Sequence, residues 1–200
     1  MKTGILGGTF DPAHIGHIAV AGAVKDELGL AEVVFIPAGK PWFKADALVL
    51  SAEHRLNMVR LAIAGEPCFR VSAMEIERAG LTYSVDTVAE LKKEMKDDDE
   101  LFFIIGWENL IELPRWHQPQ RLVSLCRLVA VPRVGFPVPD LASIEASIPG
   151  ISKRVIILDE PQVDISSSVI RQRVRQGLSI SHLVPEAVEK YIKEHGLYRG

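Results

Sequence analysis

Cysteine is scarce in this chain of 200 residues: Cys68 and Cys126 stand far apart, each in an apolar, strand-like run. That excludes a disulfide-stapled secreted scaffold and a cysteine-based metal module, and reads as two buried thiols in a reducing compartment. An excess of one charge is also missing. Lys and Arg number 23 against 26 Asp and Glu, a formal net charge of −3. No global field would hold nucleic acid or an acidic membrane surface, so any anionic ligand must be drawn by local groups. No apolar run approaches the ~20 residues that span a bilayer. The N-terminus carries one lysine before it reaches Gly7, without the apolar core of a signal peptide, so the expected location is the cytoplasm. Repeats and low-complexity tracts are absent. Ordinary core material is present in quantity, at 48% hydrophobic residues, enough for one domain spanning 1–200.

Strand and helix patterns alternate along that length. Strands are expected at residues 3–6, 33–37, 69–76, 101–105, 128–131 and 155–158, each a compact apolar run. Helices are expected at 18–28, ended by Gly29, at 51–64 with Ser51 as cap, at 84–95, and near 168–176 and 185–195. Residues 133–153, punctuated by Pro137, Pro139, Pro149 and Gly150, read as a loop with a short helix. Such alternation predicts an α/β fold: a Rossmann-like, doubly wound parallel sheet with helices on both faces. Ligands in such sheets bind beyond the carboxyl ends of the strands.

The most informative string is Gly7-Gly8-Thr9-Phe10-Asp11-Pro12-Ala13-His14-Ile15-Gly16-His17. A short strand runs into two glycines, which let the backbone approach a ligand closely. A hydroxyl and a proline turn follow. His14 and His17 stand three apart on the first turn of a helix and share one face. Free N–H groups and the helix dipole favour anions there. Near the other end, Ile165-Ser166-Ser167-Ser168-Val169-Ile170-Arg171 places three hydroxyls at a helix start and an arginine one turn later. Arginine grips phosphate through paired hydrogen bonds. Two anion sites, one from each end of the chain, can hold one triphosphate between them.

The first string resembles the nucleotidyltransferase superfamily that shares a His-x-Gly-His element with class I aminoacyl-tRNA synthetases. Within it the match is with bacterial nicotinate-nucleotide adenylyltransferases, and the serine-rich string resembles their second motif, with Ser168 where a threonine is usual. Two further elements carry the resemblance: Thr82-Tyr83-Ser84-Val85-Asp86-Thr87 and Leu113-Pro114-Arg115-Trp116-His117. It runs nearly the full length and implies an ATP-dependent enzyme joining nicotinate mononucleotide to AMP, with release of pyrophosphate, on the way to NAD. Gly7, Gly8, Thr9, Phe10 and Gly106 would then contact ATP. His14 and His17 would meet the α-phosphate region, and Ser167, Ser168 and Arg171 the β- and γ-phosphates. Catalysis would fall to His14, His17, Lys44 and Arg171. Trp116 would stack on the pyridine ring, backbone N–H groups near Ser84 and His117 would receive its carboxylate, Tyr83 would join the same nicotinate mononucleotide site, and Glu108 would reach ribose. Mg²⁺ is implied with ATP, held mostly by the triphosphate and water, so no protein metal ligand is named. The partners implied are ATP and nicotinate mononucleotide, not nucleic acid or membrane, and the oligomeric state is left open.

Two departures stand out. The family's Pro-Pro-His-Lys is Pro41-Trp42-Phe43-Lys44 here, so a histidine is missing, and its Gly-x-Asp is Gly106-Trp107-Glu108. These leave room for alternatives: an adenylyltransferase with another acceptor, nicotinamide mononucleotide or pantetheine phosphate, or a catalytically silent nucleotide sensor.

Overall fold

A computed structural model describes residues 1–40 and 49–199. Six strands form one sheet: β1 (Lys2–Gly8), β2 (Glu32–Pro37), β3 (Phe69–Val71), β4 (Glu100–Gly106), β5 (Arg127–Val131) and β6 (Val155–Ile157). Their order is β3-β2-β1-β4-β5-β6 and every pairing is parallel. This is the dinucleotide-fold order, which reverses direction between β1 and β4 and opens a crevice at their carboxyl ends. Leu6 sits in register with Phe35 on one side and Ile104 on the other, so the strand ends come out level, with Gly8 opposite Pro37.

Nine helices are described. On one face lie α1 (Ile15–Leu28), α2 (Ala52–Ile63), α8 (Ser167–Arg175) and α9 (Glu186–Glu194). The other carries α4 (Ser84–Glu94), α5 (Trp107–Glu112), α6 (Pro119–Leu125) and α7 (Leu141–Ser147), while α3 (Met74–Glu77) is a single turn after β3. Side chains alternate across a strand. Leu6, Phe35, Phe102 and Ile104 therefore pack against Val24, Met58, Ile170 and Val188, and Ile5, Val34, Ile36 and Phe103 against Val85, Val88, Leu110 and Leu122. The expected α/β fold with helices on both faces is the one found.

Two expectations need correction. The strand foreseen at 69–76 stops at Val71. Ser72 makes the last backbone bond to Phe35, and its hydroxyl then accepts from Met74 N–H at 3.4 Å, turning the chain into α3. Cys68 is half-buried, because it precedes a short edge strand, whereas Cys126 is buried and its thiol is pushed up to about 12 by that burial. Residues 41–48, with Trp42, Phe43 and Lys44, lie outside the described residues.

The loops at the crevice are clamped by Arg55, a side chain only 2% exposed on α2. Its Nη1 donates to the Thr9 carbonyl at 2.9 Å, Nη2 to Gly39 at 3.1 Å and Nε to Leu50 at 3.1 Å. One guanidinium thus ties the β1–α1 loop to the segment after β2. Gly39 has no room for a side chain, since a Cβ there would lie 1.9 Å from the Glu75 carbonyl. Replacing Arg55 with Leu leaves three carbonyls without their donor, and at about 1 kcal/mol or more each the expected loss is ~3 kcal/mol in urea unfolding. A loss under about 0.5 kcal/mol would show that the clamp is not needed.

Candidate active site

A cleft of about 560 Å³ opens at the carboxyl ends of β1 and β4. Gly7, Gly8, Thr9, His14 and His17 line one side, Gly106, Glu108 and Trp116 another, and Ser84 with Thr82 and Thr87 the far wall.

The β1–α1 loop is shaped by Phe10. Its backbone is left-handed at φ 51°, and its ring is 2% exposed, 4.8 Å edge-on from His17 and 5.9 Å from Phe35. That ring covers Gly8, where a Cβ would stand 3.2 Å from it. Gly8 is therefore required first by the packing of Phe10, and Phe10 can offer a ligand only its backbone. His14 caps α1 and its N–H donates to Nδ1 of His17 at 3.2 Å, which leaves the His17 proton on Nε2. The two rings stack with centroids 3.6 Å apart. Burial, then the charge of Arg133, lowers His14 to about 4. Burial, His14 and Arg133 hold His17 well below the usual range. Both imidazoles are thereby held neutral at pH 7. Nδ1 of His14 is buried with no hydrogen-bond partner among the described residues.

The serine-rich motif is tied to this loop. Ser166 caps α8 and accepts from Val169 N–H at 3.3 Å. Ser167 Oγ donates to the Pro12 carbonyl at 2.9 Å, and Arg171 Nη1 to the Asp11 carbonyl at 2.7 Å. Ser167, Ser168 and Arg171 are thus brought beside the loop but are not among the residues lining the cleft.

On the opposite side, Trp116 is half-buried and packs at 80° to Phe103, with centroids 6.3 Å apart. Tyr83 and His117 pair with each other at 4.2 Å and do not line the cleft. Ser84 opens α4, where the amides of Ser84 and Val85 precede the first helical acceptor, while Asp86 N–H donates to the Tyr83 carbonyl at 3.0 Å. Glu108, in the first turn of α5, folds back over Gly106: Oε1 accepts from Asn109 at 3.2 Å and Oε2 is buried with no partner among the described residues. Glu75, Asn109, Phe103 and Phe136 also line the cleft, and no motif marked them. Among the described residues no three His, Cys, Asp or Glu side chains gather as a metal-holding group.

Residues 5–173 match the family model described as cytidylyltransferase-like. The chain is 53% identical to a probable nicotinate-nucleotide adenylyltransferase of Dehalococcoides mccartyi (strain ATCC BAA-2266 / KCTC 15142 / 195) over 198 residues, 99% of this chain and 97% of that protein. It belongs to the nicotinate-nucleotide adenylyltransferase family. A Thermomicrobium roseum (strain ATCC 27502 / DSM 5159 / P-2) protein of the same printed name is 43% identical, over 99% of this chain and 92% of its own. The fold matches that of Plasmodium falciparum nicotinic acid mononucleotide adenylyltransferase complexed with APC at a TM-score of 0.78 and 19% identity, covering 98% of this chain and 96% of that one. The same enzyme complexed with NaAD gives 0.78 at 20%, covering 98% and 97%. In this family member the level strand ends and the Phe10-packed loop place the His pair at the switch point of the sheet.

The neutral histidines have a measurable signature. An unfolded His14 takes a proton below pH 6.5, the folded one not until about 4, so its stability contribution is intact above 6.5 and lost as pH falls toward 4. The loss reaches about 3 kcal/mol for His14 alone. Urea unfolding of wild type against His14→Asn, stepped from pH 7.5 to 4, should show wild type losing stability faster; parallel curves would contradict the buried neutral imidazole.

Proposed function

We propose that the chain catalyses adenylyl transfer from ATP to nicotinate mononucleotide, giving nicotinate adenine dinucleotide and pyrophosphate. The observation that carries this reading is one cleft with a buried His pair on one wall and Trp116, Ser84 and Glu108 on the others. A mononucleotide phosphate oxygen attacks the α-phosphorus, the bond to the β-phosphate oxygen breaks, and pyrophosphate leaves. The attacking phosphate is already ionised at pH 7, so neither a protein nucleophile nor a strong base is needed. Catalysis is positioning and charge stabilisation.

His17, with its proton on Nε2, donates to the α-phosphate. His14 and the backbone from Gly7 to Phe10 line its approach, and Ser167, Ser168 and Arg171 hold the outer phosphates with Lys44. Mg²⁺ would accompany the triphosphate, held mostly by phosphate oxygens and water, and would offset its charge; among the described residues no three His, Cys, Asp or Glu side chains gather to hold it. At the other end Trp116 is a platform for the pyridinium. The α4 N-terminus at Ser84, beside Tyr83 and His117, favours a carboxylate over an amide. The buried free oxygen of Glu108 accepts a ribose hydroxyl.

Pyrophosphate release from ATP and Mg²⁺ should be strong with nicotinate mononucleotide and weak with nicotinamide mononucleotide. Equal release would keep the reaction and refute the Ser84 argument; silence with both would point to another acceptor or to a sensor. His17→Ala should fold normally, as judged by circular dichroism, and lose turnover by roughly 10²–10³, the scale for one charge-stabilising donor. Unchanged turnover would remove His17 from the mechanism.

A further inference from the structure

Asp11 lies inside the β1–α1 loop with its side chain 4% exposed, a buried charge that must be satisfied. Its partners come from the far end of the chain. Oδ1 accepts from the Tyr198 hydroxyl at 2.7 Å, across 187 residues of sequence. Oδ2 stands 3.9 Å from Arg171 Nη1, while that same nitrogen donates to the Asp11 backbone carbonyl at 2.7 Å. Arg55 adds its charge from α2. Tyr198 is itself fixed: its backbone is left-handed at φ 63°, and its oxygen also lies 4.0 Å from Met58 Sδ. Burial and the Asp11 carboxylate push its phenol far upward, so the hydroxyl remains a donor.

We propose that Tyr198 is a positioning residue for the triphosphate: its hydroxyl holds the Asp11 carboxylate in the rotamer that keeps Arg171 on the backbone carbonyl, with its charge available to an anion. Without that hydroxyl, Asp11 is free to turn its carboxylate onto Arg171 and compete with phosphate for the guanidinium. The inference rests on the reading of Arg171 as a phosphate-holding residue. It gives the segment after α9 a part in ATP binding although it contributes nothing to the cleft walls.

The test is ATP affinity by calorimetry, which needs no turnover, in the full chain. Tyr198→Phe keeps the ring and removes only the hydroxyl. It should weaken ATP roughly tenfold, the scale of one bond to a charged group, and raise KM for ATP while KM for the mononucleotide moves less than about twofold. Tyr191→Phe is the control. It removes a hydroxyl bonded to His54 and Asn57 on the same C-terminal segment, and should leave ATP affinity within about twofold. An unchanged ATP affinity in Tyr198→Phe would overturn the proposal, as would an equal loss in Tyr191→Phe or equal changes in both KM values. Wild-type turnover in parallel reports on the reaction itself, so ATP binding that responds to Tyr198→Phe without pyrophosphate release would sink the adenylyltransferase reading and leave the positioning role standing.

Discussion

The loop between β1 and α1 is held by two buried ionic side chains, and the rest of the site is built outward from it. Arg55 takes the carbonyl of Thr9 from below, and Asp11 receives Tyr198 and Arg171 from the last third of the chain. A buried charge without partners would cost several kcal/mol, so each of these groups fixes the others. Phe10 then has one place to go, over Gly8 and against His17, and the His14–His17 stack follows. The geometry that faces the cleft is set by groups that do not face it.

The parallel sheet supplies the other half of the arrangement. Strand order reverses between β1 and β4, so the connections that follow them leave on opposite faces and open a crevice at the carboxyl ends. One half of that crevice meets neutral imidazoles and backbone N–H groups, the other an indole, a helix N-terminus and a carboxylate. Neutral histidines suit a site that must admit a highly charged triphosphate and then release charged pyrophosphate. They donate through N–H without adding a permanent cation, and burial keeps them neutral, with the nearby charge of Arg133 adding to it.

Much of this was legible in the sequence, for physical reasons. Gly-Gly, a proline turn and two histidines three apart announce a strand-to-helix phosphate loop because each residue type has few other uses in that order. The apolar runs gave the sheet because parallel strands are buried on both faces. Ser72 hid the end of β3: a lone serine in an apolar run does not reveal that its hydroxyl will start a helical turn. Gly8 was readable as a glycine needed for closeness, yet what comes close is Phe10, two residues on. Asp11 stands in the first string, yet nothing there, or around Arg55 and Tyr198, reveals what each of the three will hold. Their pairing spans most of the chain, and only the fold brings them together. Glu75, Asn109 and Phe136 reach the cleft from three different connections, so no spacing could group them.

The most direct measurement of the central claim follows the atoms. ATP labelled with phosphorus-32 at the α position is incubated with the protein, Mg²⁺ and nicotinate mononucleotide, and the products are separated and weighed by mass spectrometry. The account predicts that the label appears in a dinucleotide of the mass of nicotinate adenine dinucleotide, with unlabelled pyrophosphate formed in equal amount. Label recovered as AMP, or left in ATP while both nucleotides bind, would contradict it.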